Sequence, residues 1–444
     1  MTKIQLSDHF TYKRLIRFVT STILMLICTS LYSIVDGVFV SNFVGKTPFA
    51  AINLIMPVIM AVGAIGFMAG TGGSAIVSKT LGEGKPRLAN QMFSMVIYAL
   101  AAVGIVFSVA GIVFMRPICV ALGATGELLE ACVLYGRISF AGQTAFLLQN
   151  AFQSFFIAAE KPGLSLKISV AAGLTNVVLD YLFIVVLHWG LAGAAVATVM
   201  GQVVGGILPA IYFAGKNHSL LRLCKTRMDF NVLKKVCFNG SSEMVTTVSV
   251  SVVSVLFNFQ LMNLAGENGI AAYGIIMYVN FIFMAVYLGY SMGSAPIVSF
   301  HYGAGNHGEL HNLFKKSLVL MLLSGVVMTL AAELLSAPLV QIFAGYDEEL
   351  YQMTCRGFRL YSLSFLIMSI NVWGSGFFTA LNNGMVSAAI SFLRTFLFQI
   401  MMVMVLPVIF GIDGIWLSVV AAEAAAGMVT VWFLISRRKQ YHYA

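Results

Sequence analysis

The acidic side chains that fall within apolar segments are the groups of this sequence best suited to chemistry. Asp36 directly follows an apolar run from Leu15 to Val35, and at about 1.5 Å rise per residue that run is long enough to cross a bilayer. An ionised side chain in hydrocarbon costs roughly 2.5–3.5 kcal/mol or more. Asp36 therefore requires a polar cavity, a partner, a proton or a bound cation, unless it lies at the wet outer end of the helix.

A second acid, Asp180, lies four residues after Asn176, so both side chains project from one face of a helix. Counted from Lys167, Asp180 lies about 20 Å along that helix, which predicts that it reaches the same depth as Asp36. Two carboxylates held close in a low dielectric repel one another until a proton or Na⁺ relieves the repulsion. The sequence therefore predicts an ion-coupling site at these two acids.

The composition is that of an integral membrane protein. Of the 444 residues, 59% are hydrophobic and only 10% are charged, and the mean hydropathy is +0.91, whereas a soluble domain has about 25% charged residues. The net charge of +9 is explained by topology and by attraction to anionic membrane lipids, so nucleic acid is not an expected partner. The six cysteines form no CxxC pair and are expected to be free thiols.

Twelve apolar segments are predicted to be membrane helices, which makes the chain an all-α integral membrane protein. A basic stretch, 215–235, divides them into two six-helix lobes, 1–214 and 236–444. Twenty-one of the 26 Lys and Arg, including Arg394, fall on the side of the N-terminus, which predicts that both termini are cytoplasmic. The segments, numbered 1 to 12, are 15–41, 49–78, 92–115, 128–158, 165–187, 191–214, 236–264, 270–300, 317–336, 352–380, 385–410 and 414–435.

The two lobes are internal repeats. Under a shift of 221 residues, 14 of the 43 positions from 42 to 84 are identical, including Gly82 with Gly303, whereas roughly a tenth would agree by chance. Six helices return the chain to its starting side, so the repeats are parallel, with a pseudo-two-fold axis along the membrane normal and a substrate cavity between them. Asp36 and Asp180 have no acidic counterpart, which places the coupling chemistry in the first lobe.

Other polar residues within the segments are candidates for substrate contact. Gln143, Asn150 and Gln153 share one face of segment 4, where hydrogen bonds between helices are the alternative interpretation. Glu243 in segment 7 is a candidate for contact with a cationic substrate, and a structural role near the cytoplasm is its alternative.

Two further groups of polar residues are expected to have no part in the chemistry. Glu423 takes the place that Gln202 has in the first repeat, so a buried hydrogen-bonding role is expected. The histidines of the turn between segments 8 and 9 are expected to be solvated rather than to bind a metal: His301, His307 and His311. No cofactor is expected beyond the coupling ion.

The order and spacing of these motifs resemble the multidrug and toxic compound extrusion (MATE) family, in its bacterial branch. The resemblance covers nearly the whole chain: two six-helix lobes, Asp36, the turn Ser78-Lys-Thr-Leu-Gly-Glu-Gly84, and Gly190-Leu-Ala-Gly-Ala-Ala-Val-Ala-Thr198 opening segment 6. It implies a monomeric antiporter of the bacterial cytoplasmic membrane that exports lipophilic, often cationic, compounds in exchange for H⁺ or Na⁺. In relatives, the residues that line the first-lobe coupling site match Tyr32, Asp36, Asn176, Asp180 and Thr198.

The sequence also departs from part of the family. Some relatives couple through acids on helices 7 and 10, but here no acid occurs between Glu349 and Asp413. Coupling is therefore expected in the first lobe, with Tyr32, Asn150, Gln153 and Glu243 as candidate substrate contacts.

Three other classes of membrane protein remain as alternatives. A flippase for a lipid-linked precursor belongs to the same superfamily, but more cationic residues would be expected in its cavity. A twelve-helix major facilitator should carry a Gly-x-x-x-Asp-Arg-type loop after helix 2, which the stretch from Lys79 to Arg87 does not fit. A membrane enzyme would need a nucleophile–base pair or a metal site at membrane depth, and the chain is not expected to be an enzyme.

Overall fold

The computed structural model describes residues 4–345 and 347–444, and this part of the chain consists of helices and connecting turns without a β-strand. Two π-helical turns, Tyr181–Val186 and Leu393–Leu397, follow α6 and α12. The α-helices are α1 Tyr12–Phe43, α2 Lys46–Gly82, α3 Pro86–Ala121, α4 Gly126–Ala141, α5 Gln143–Ala158, α6 Pro162–Asp180, α7 Gly190–Ala214, α8 Phe230–Gly303, α9 His307–Ala344, α10 Glu348–Ser362, α11 Phe365–Ala380, α12 Gly384–Phe392, α13 Phe398–Phe410, α14 Ile412–Ser436 and α15 Arg438–Tyr441.

The described helices supply twelve membrane spans. Nine helical stretches are long and apolar enough to cross a bilayer, and two bent pairs, α4–α5 and α10–α11, add two more. The twelfth comes from α8, whose 74 residues break at Gly266 (φ 60°, ψ −145°). The rings of Phe257 and Tyr273 lie 5.2 Å apart across this break, whereas a straight helix would separate them by about 24 Å. The chain therefore folds back at Gly266 into two arms, 230–265 and 267–303, and the all-α fold with twelve spans is confirmed.

Several helices extend beyond the apolar segments that predicted them. α9 begins at His307, ten residues before the predicted segment, and α8 begins at Phe230, within the stretch predicted as the basic linker. Asp229 caps α8 by accepting a hydrogen bond from the Asn231 amide at 2.9 Å. Hydropathy falls where polar residues begin, but helical hydrogen bonds continue until a cap ends them. We keep the predicted division into two lobes, with α1–α7 in the first and α8–α14 in the second.

The two repeats meet at glycines that the 221-residue shift relates to one another. A Cβ atom on Gly82 would lie 2.0 Å from the carbonyl oxygen of Phe300, and one on Gly303 would lie 2.0 Å from that of Lys79. Phe300 is the counterpart of Lys79, and Gly303 is the counterpart of Gly82. The pseudo-two-fold symmetry therefore relates these two contacts to each other. The pseudo-two-fold axis therefore passes between α2 and the second arm of α8.

A second pair of related contacts lies about 15 Å further along α2. A Cβ atom on Gly72 would lie 2.6 Å from the Gly240 amide nitrogen, and one on Gly293 would lie 3.1 Å from Val19 Cβ. Gly293 is the counterpart of Gly72, and Val19 is the counterpart of Gly240. The lobes are therefore packed backbone to backbone along the side of the molecule that carries the N-terminus.

The segment before α1 ties both lobes together on that same side. The Leu6 amide donates a hydrogen bond to Glu160 Oε1 of the first lobe at 2.8 Å, and the Phe10 amide donates one to Glu309 Oε1 of the second lobe at 2.9 Å. The side chains of Leu6 and Phe10 are fully buried. This face of the protein is closed both by the glycine contacts and by the N-terminal segment.

These contacts predict opposite effects for two glycine substitutions in the same helix. Gly303→Ala places a methyl group against the Lys79 carbonyl and is expected to destabilise the folded protein by about 1–3 kcal/mol. Gly274→Ala is the matched control, because nothing lies within 4 Å of its Cβ position, and Ala is favoured over Gly in a helix. Thermal unfolding in detergent measures both variants. Equal melting temperatures for the two would show that the lobes do not meet as described.

Candidate functional site

The predicted site residues of the first lobe lie on two neighbouring helices. Tyr32 and Asp36 are one helical turn apart on α1, and Asn176 and Asp180 are one turn apart on α6. The two helices approach closely because α6 has a glycine at the contact: a Cβ atom on Gly173 would lie 2.6 Å from Tyr32 Cδ1. The local sequence of each helix therefore brings both acids to one place.

Asp36 and Asp180 face each other, and the Asn176 side chain lies beside both of them. Asp180 is fully buried, and each carboxyl group acts directly on the other. Among the described residues, neither oxygen of Asp180 has a hydrogen-bond partner, and neither does Oδ1 of Asp36. A buried carboxylate whose oxygens lack hydrogen-bond partners is costly, so the pair is suited to holding a proton or a cation.

The atoms around the pair are mostly acceptors. The Asn176 amide nitrogen donates to Thr198 Oγ1 on α7 at 3.5 Å, and its buried Oδ1 has no hydrogen-bond partner within the described parts of the chain. The site therefore collects oxygens from Asp36, Asp180, Asn176 and Thr198. Such a set can hold a proton between the carboxylates, or a small hard cation such as Na⁺.

The backbone is irregular beside the site. α6 changes to the π-helical turn Tyr181–Val186 directly after Asp180. Single π-helical turns within α-helices occur frequently at functional sites. Asp180 thus lies at a point where the membrane helix departs from its regular hydrogen-bonding pattern.

Sequence reasoning missed Tyr135 on α4. Its side chain is 2% exposed, it lies close to Ser139 and Thr198, and both acids act on it electrostatically. Tyr135 and Ser139 are four residues apart and share a helical face, which is a pattern that the sequence shows. The sequence does not show, however, that this face of the helix approaches Thr198 on α7.

The structure places those three residues elsewhere. The Gln143 side chain donates to the Ile59 carbonyl at 3.2 Å, and that of Asn150 donates to the Gly63 carbonyl at 3.4 Å. Both bonds join α5 to α2, and Gln153 is 6% exposed. These are hydrogen bonds between helices. Among the described residues, no hydrogen bond joins Asn150 or Gln153 to the acids, and their contact with substrate remains a prediction.

The placement of Arg394 on the cytoplasmic side was wrong. Arg394 lies ten residues into its membrane span, in the π-helical turn after α12, and it is 8% exposed. Its Nε atom lies 2.8 Å and 3.0 Å from the carboxylate oxygens of Glu423. An arginine can remain buried there because a carboxylate of α14 neutralises it. The sequence could not show this, because the partners are 29 residues apart on different helices.

Glu243 lies on the first arm of α8 and is half-buried. The helical turn before it packs against α11 of the same lobe, where the Asn239 side chain donates to the Thr379 carbonyl at 3.0 Å. Arg394 is the charged residue that acts on Glu243 electrostatically. The group around Arg394 thus contains two acids and one arginine, whereas the first-lobe site contains two acids and no cation among its described neighbours.

Twelve spans in two parallel repeats, with acids buried inside the lobes, define a transporter architecture in the membrane. The chain belongs to the MatE family, whose model matches it twice, at residues 21–182 and 243–405. The two matches begin 222 residues apart, close to the 221-residue shift of the repeats. The predicted resemblance to MATE transporters is therefore confirmed.

Individual relatives match over almost their full length. The chain is 24% identical to the Multidrug export protein MepA of Staphylococcus haemolyticus over 416 residues, covering 93% of this chain and 91% of that protein. Its fold matches a crystal structure of MATE in complex with MaL6 with a TM-score of 0.94 and 19% identity over 100% of both chains. An outward-facing multidrug resistance MATE family transporter of the MOP superfamily matches with a TM-score of 0.93 and 19% identity, covering 100% of this chain and 99% of that one.

The carboxyl pair predicts how stability depends on pH. Two facing carboxylates repel each other in the folded state when both are ionised, so the free energy of unfolding is expected to fall as pH rises. Asp180→Asn removes one charge and supplies a donor. At about pH 8 it is expected to stabilise the protein by about 1–3 kcal/mol, and at about pH 5 the gain should largely disappear.

Thermal unfolding across this pH range measures the effect. Glu130→Gln is the control, because Glu130 is an exposed acid of the same lobe paired with Arg116. If the melting temperatures of Asp180→Asn and wild type change in parallel with pH, the described pairing is contradicted.

Proposed function

We propose that this protein is a secondary active antiporter that exports lipophilic cationic compounds in exchange for H⁺ or Na⁺ by alternating access. The observation that carries the proposal is the buried Asp36–Asp180 pair, in which three of the four carboxylate oxygens are buried without a hydrogen-bond partner among the described residues. Such a pair has affinity for one proton or one monovalent cation at membrane depth. A transporter needs such a site if it is to draw energy from an ion gradient.

The coupling follows from where α1 makes its contacts. The outer part of α1 carries Asp36, and its inner part packs against the second lobe through Val19 on Gly293 and Ile23 on Gly289. Binding of the ion removes repulsion between α1 and α6, so it favours one position of α1 over another. A difference in ion affinity between the two positions is what shifts the equilibrium between conformations. In this scheme, entry of the ion from the outer side drives release of the exported compound.

The charges within the lobes support a cationic cargo. The membrane spans carry the buried or half-buried acids Asp36, Asp180, Glu243 and Glu423 but one buried arginine among the described residues, Arg394, and Glu423 already neutralises it. The relative from Staphylococcus haemolyticus is named a multidrug export protein, which agrees with export of lipophilic compounds. The excess of acids disfavours the alternative, a flippase for a lipid-linked pyrophosphate, which requires cationic groups.

We propose that Tyr32 and Glu243 contact the exported compound, one in each lobe. Tyr32 presents an aromatic face next to Asp36, which suits a lipophilic cation.

We place the protein in the bacterial cytoplasmic membrane as a monomer with cytoplasmic termini. Removing Arg394 from the loops leaves twenty Lys and Arg on the terminal side against five on the other, so the charge rule still supports this orientation.

Ethidium uptake into everted vesicles, which expose the cytoplasmic face to the medium, tests the proposal. With a proton gradient or a Na⁺ gradient imposed separately, wild type is expected to transport with one of the two. Asp36→Asn is expected to lose gradient-driven transport by about a hundredfold or more, because no ionisable carboxylate pair remains. Glu130→Gln, an exposed acid of the first lobe, should transport like wild type.

Expression of each variant is measured in the same membranes. Full gradient-driven uptake by a normally expressed Asp36→Asn variant would refute first-lobe coupling. Absence of transport by wild type with either gradient would refute drug antiport of this class.

A further inference from the structure

The second lobe contains an ion pair that the proposed coupling mechanism does not use. Glu423 on α14 is 2% exposed. Its carboxylate is bound by Arg394 Nε and by the Asn371 amide nitrogen at 2.7 Å, and Asn371 also donates to its main-chain carbonyl at 2.9 Å. Three spans, those of α11, α12–α13 and α14, thus meet at one carboxylate whose hydrogen-bonding capacity is well satisfied.

The other side of the Arg394 guanidinium is open. All of its recorded hydrogen bonds use Nε, and its two terminal nitrogens have no hydrogen-bond partner in the described part of the chain. Arginine usually binds carboxylates through two parallel bonds. A side chain that is nine-tenths buried but keeps two donors unused has capacity for a second anionic group.

Glu243 is the anionic group in position to use those donors. A Cβ atom on Gly384, the first residue of α12, would lie 2.3 Å from the Phe238 carbonyl, so the two spans begin in contact at the same depth. Glu243 lies about 7 Å along its helix from that contact and Arg394 about 15 Å along its own. Helical side chains lean towards the N-terminus of their helix, so the long Arg394 side chain extends towards the level of Glu243. The charged groups of Glu243 and Arg394 are too far apart to form a direct ion pair, but the charge of Arg394 acts on Glu243.

The first repeat shows that the scaffold does not need these charges. Under the 221-residue shift, Arg394 corresponds to Gly173 and Glu423 corresponds to Gln202, while Glu243 corresponds to Thr22. Asn371 has the same residue type, Asn150, at its counterpart. All three charges are therefore particular to the second lobe, and they were introduced on three different helices around an otherwise shared framework.

We propose that Arg394 is a built-in competitor of the cationic substrate for Glu243. When no substrate is bound, the open side of the guanidinium turns to Glu243 while Nε keeps its contact with Glu423. A lipophilic monocation that enters the cavity takes the place of Arg394 at Glu243, and Arg394 returns fully to Glu423. The inference deepens the proposed function, since it concerns how the exported cation is held and released.

The competitor has a consequence for specificity. With two carboxylates and one guanidinium, the cluster has a net charge of −1, which one singly charged cation neutralises. Return of Arg394 to Glu243 also offers the acid a partner as the substrate leaves, so release does not leave an unpaired charge in a low dielectric. Arg394 is in this account a positioning residue, and Glu243 is the residue that touches the substrate.

The test is binding of tetraphenylphosphonium, a lipophilic monocation, to purified protein in detergent without any ion gradient. Glu423→Gln frees Arg394 to stay at Glu243 and is expected to weaken binding about tenfold. The double variant R394Q/E423Q removes the competitor together with its partner Glu423 and leaves Glu243 free for the cation, so it is expected to bind several-fold more tightly than wild type. A merely structural ion pair would weaken binding in both variants alike.

Glu243→Gln completes the experiment. It is expected to weaken binding and to abolish the difference between wild type, E423Q and R394Q/E423Q. The inference is overturned if E423Q and the double variant shift affinity in the same direction, if their difference persists without Glu243, or if wild type does not bind the cation. Transport plays no part in these measurements, so failure of ion-driven antiport and failure of the competitor are seen separately.

Discussion

The structure depends on one electrostatic constraint: two carboxylates, Asp36 and Asp180, face each other inside a protein surrounded by hydrocarbon, and no described neighbour donates a hydrogen bond to the buried oxygens. Elsewhere in this protein a buried acid is satisfied, as Glu423 is by Arg394 and Asn371. A proton or a cation at the first-lobe pair would relieve this cost, and the proposed function supplies such an ion.

The closed face of the molecule connects this constraint to conformation. Asp36 lies near one end of α1. Val19 and Ile23 lie near the other end, where they contact glycines of the second lobe. Contacts between backbones at glycines leave no side chains that could adjust, so the lobes either meet or separate. In the proposed mechanism, a change in the charge state of Asp36 therefore acts on a helix whose inner half is held by these close contacts.

The sequence predicted the parts that depend on local pattern. Asp36 and Asp180 were evident because acids are costly in apolar runs, and the shift of 221 residues correctly related Gly82 to Gly303, which meet across the pseudo-two-fold axis. It did not predict the features that depend on partners from distant helices. Arg394 was counted on the cytoplasmic side because its partner Glu423 lies on another span, and Tyr135 was overlooked because nothing in its own segment shows that it approaches Thr198.

Linkage between ion and substrate is the most direct test of the account. Purified protein in weakly buffered, Na⁺-free solution is mixed with tetraphenylphosphonium, and a pH indicator records proton release; the measurement is then repeated with Na⁺ present. If the ion and the cationic substrate favour opposite conformations, binding should release about one H⁺ per cation bound, or Na⁺ should weaken binding of the cation. Binding that releases no H⁺ between about pH 6 and 8 and is insensitive to Na⁺ would contradict the central claim.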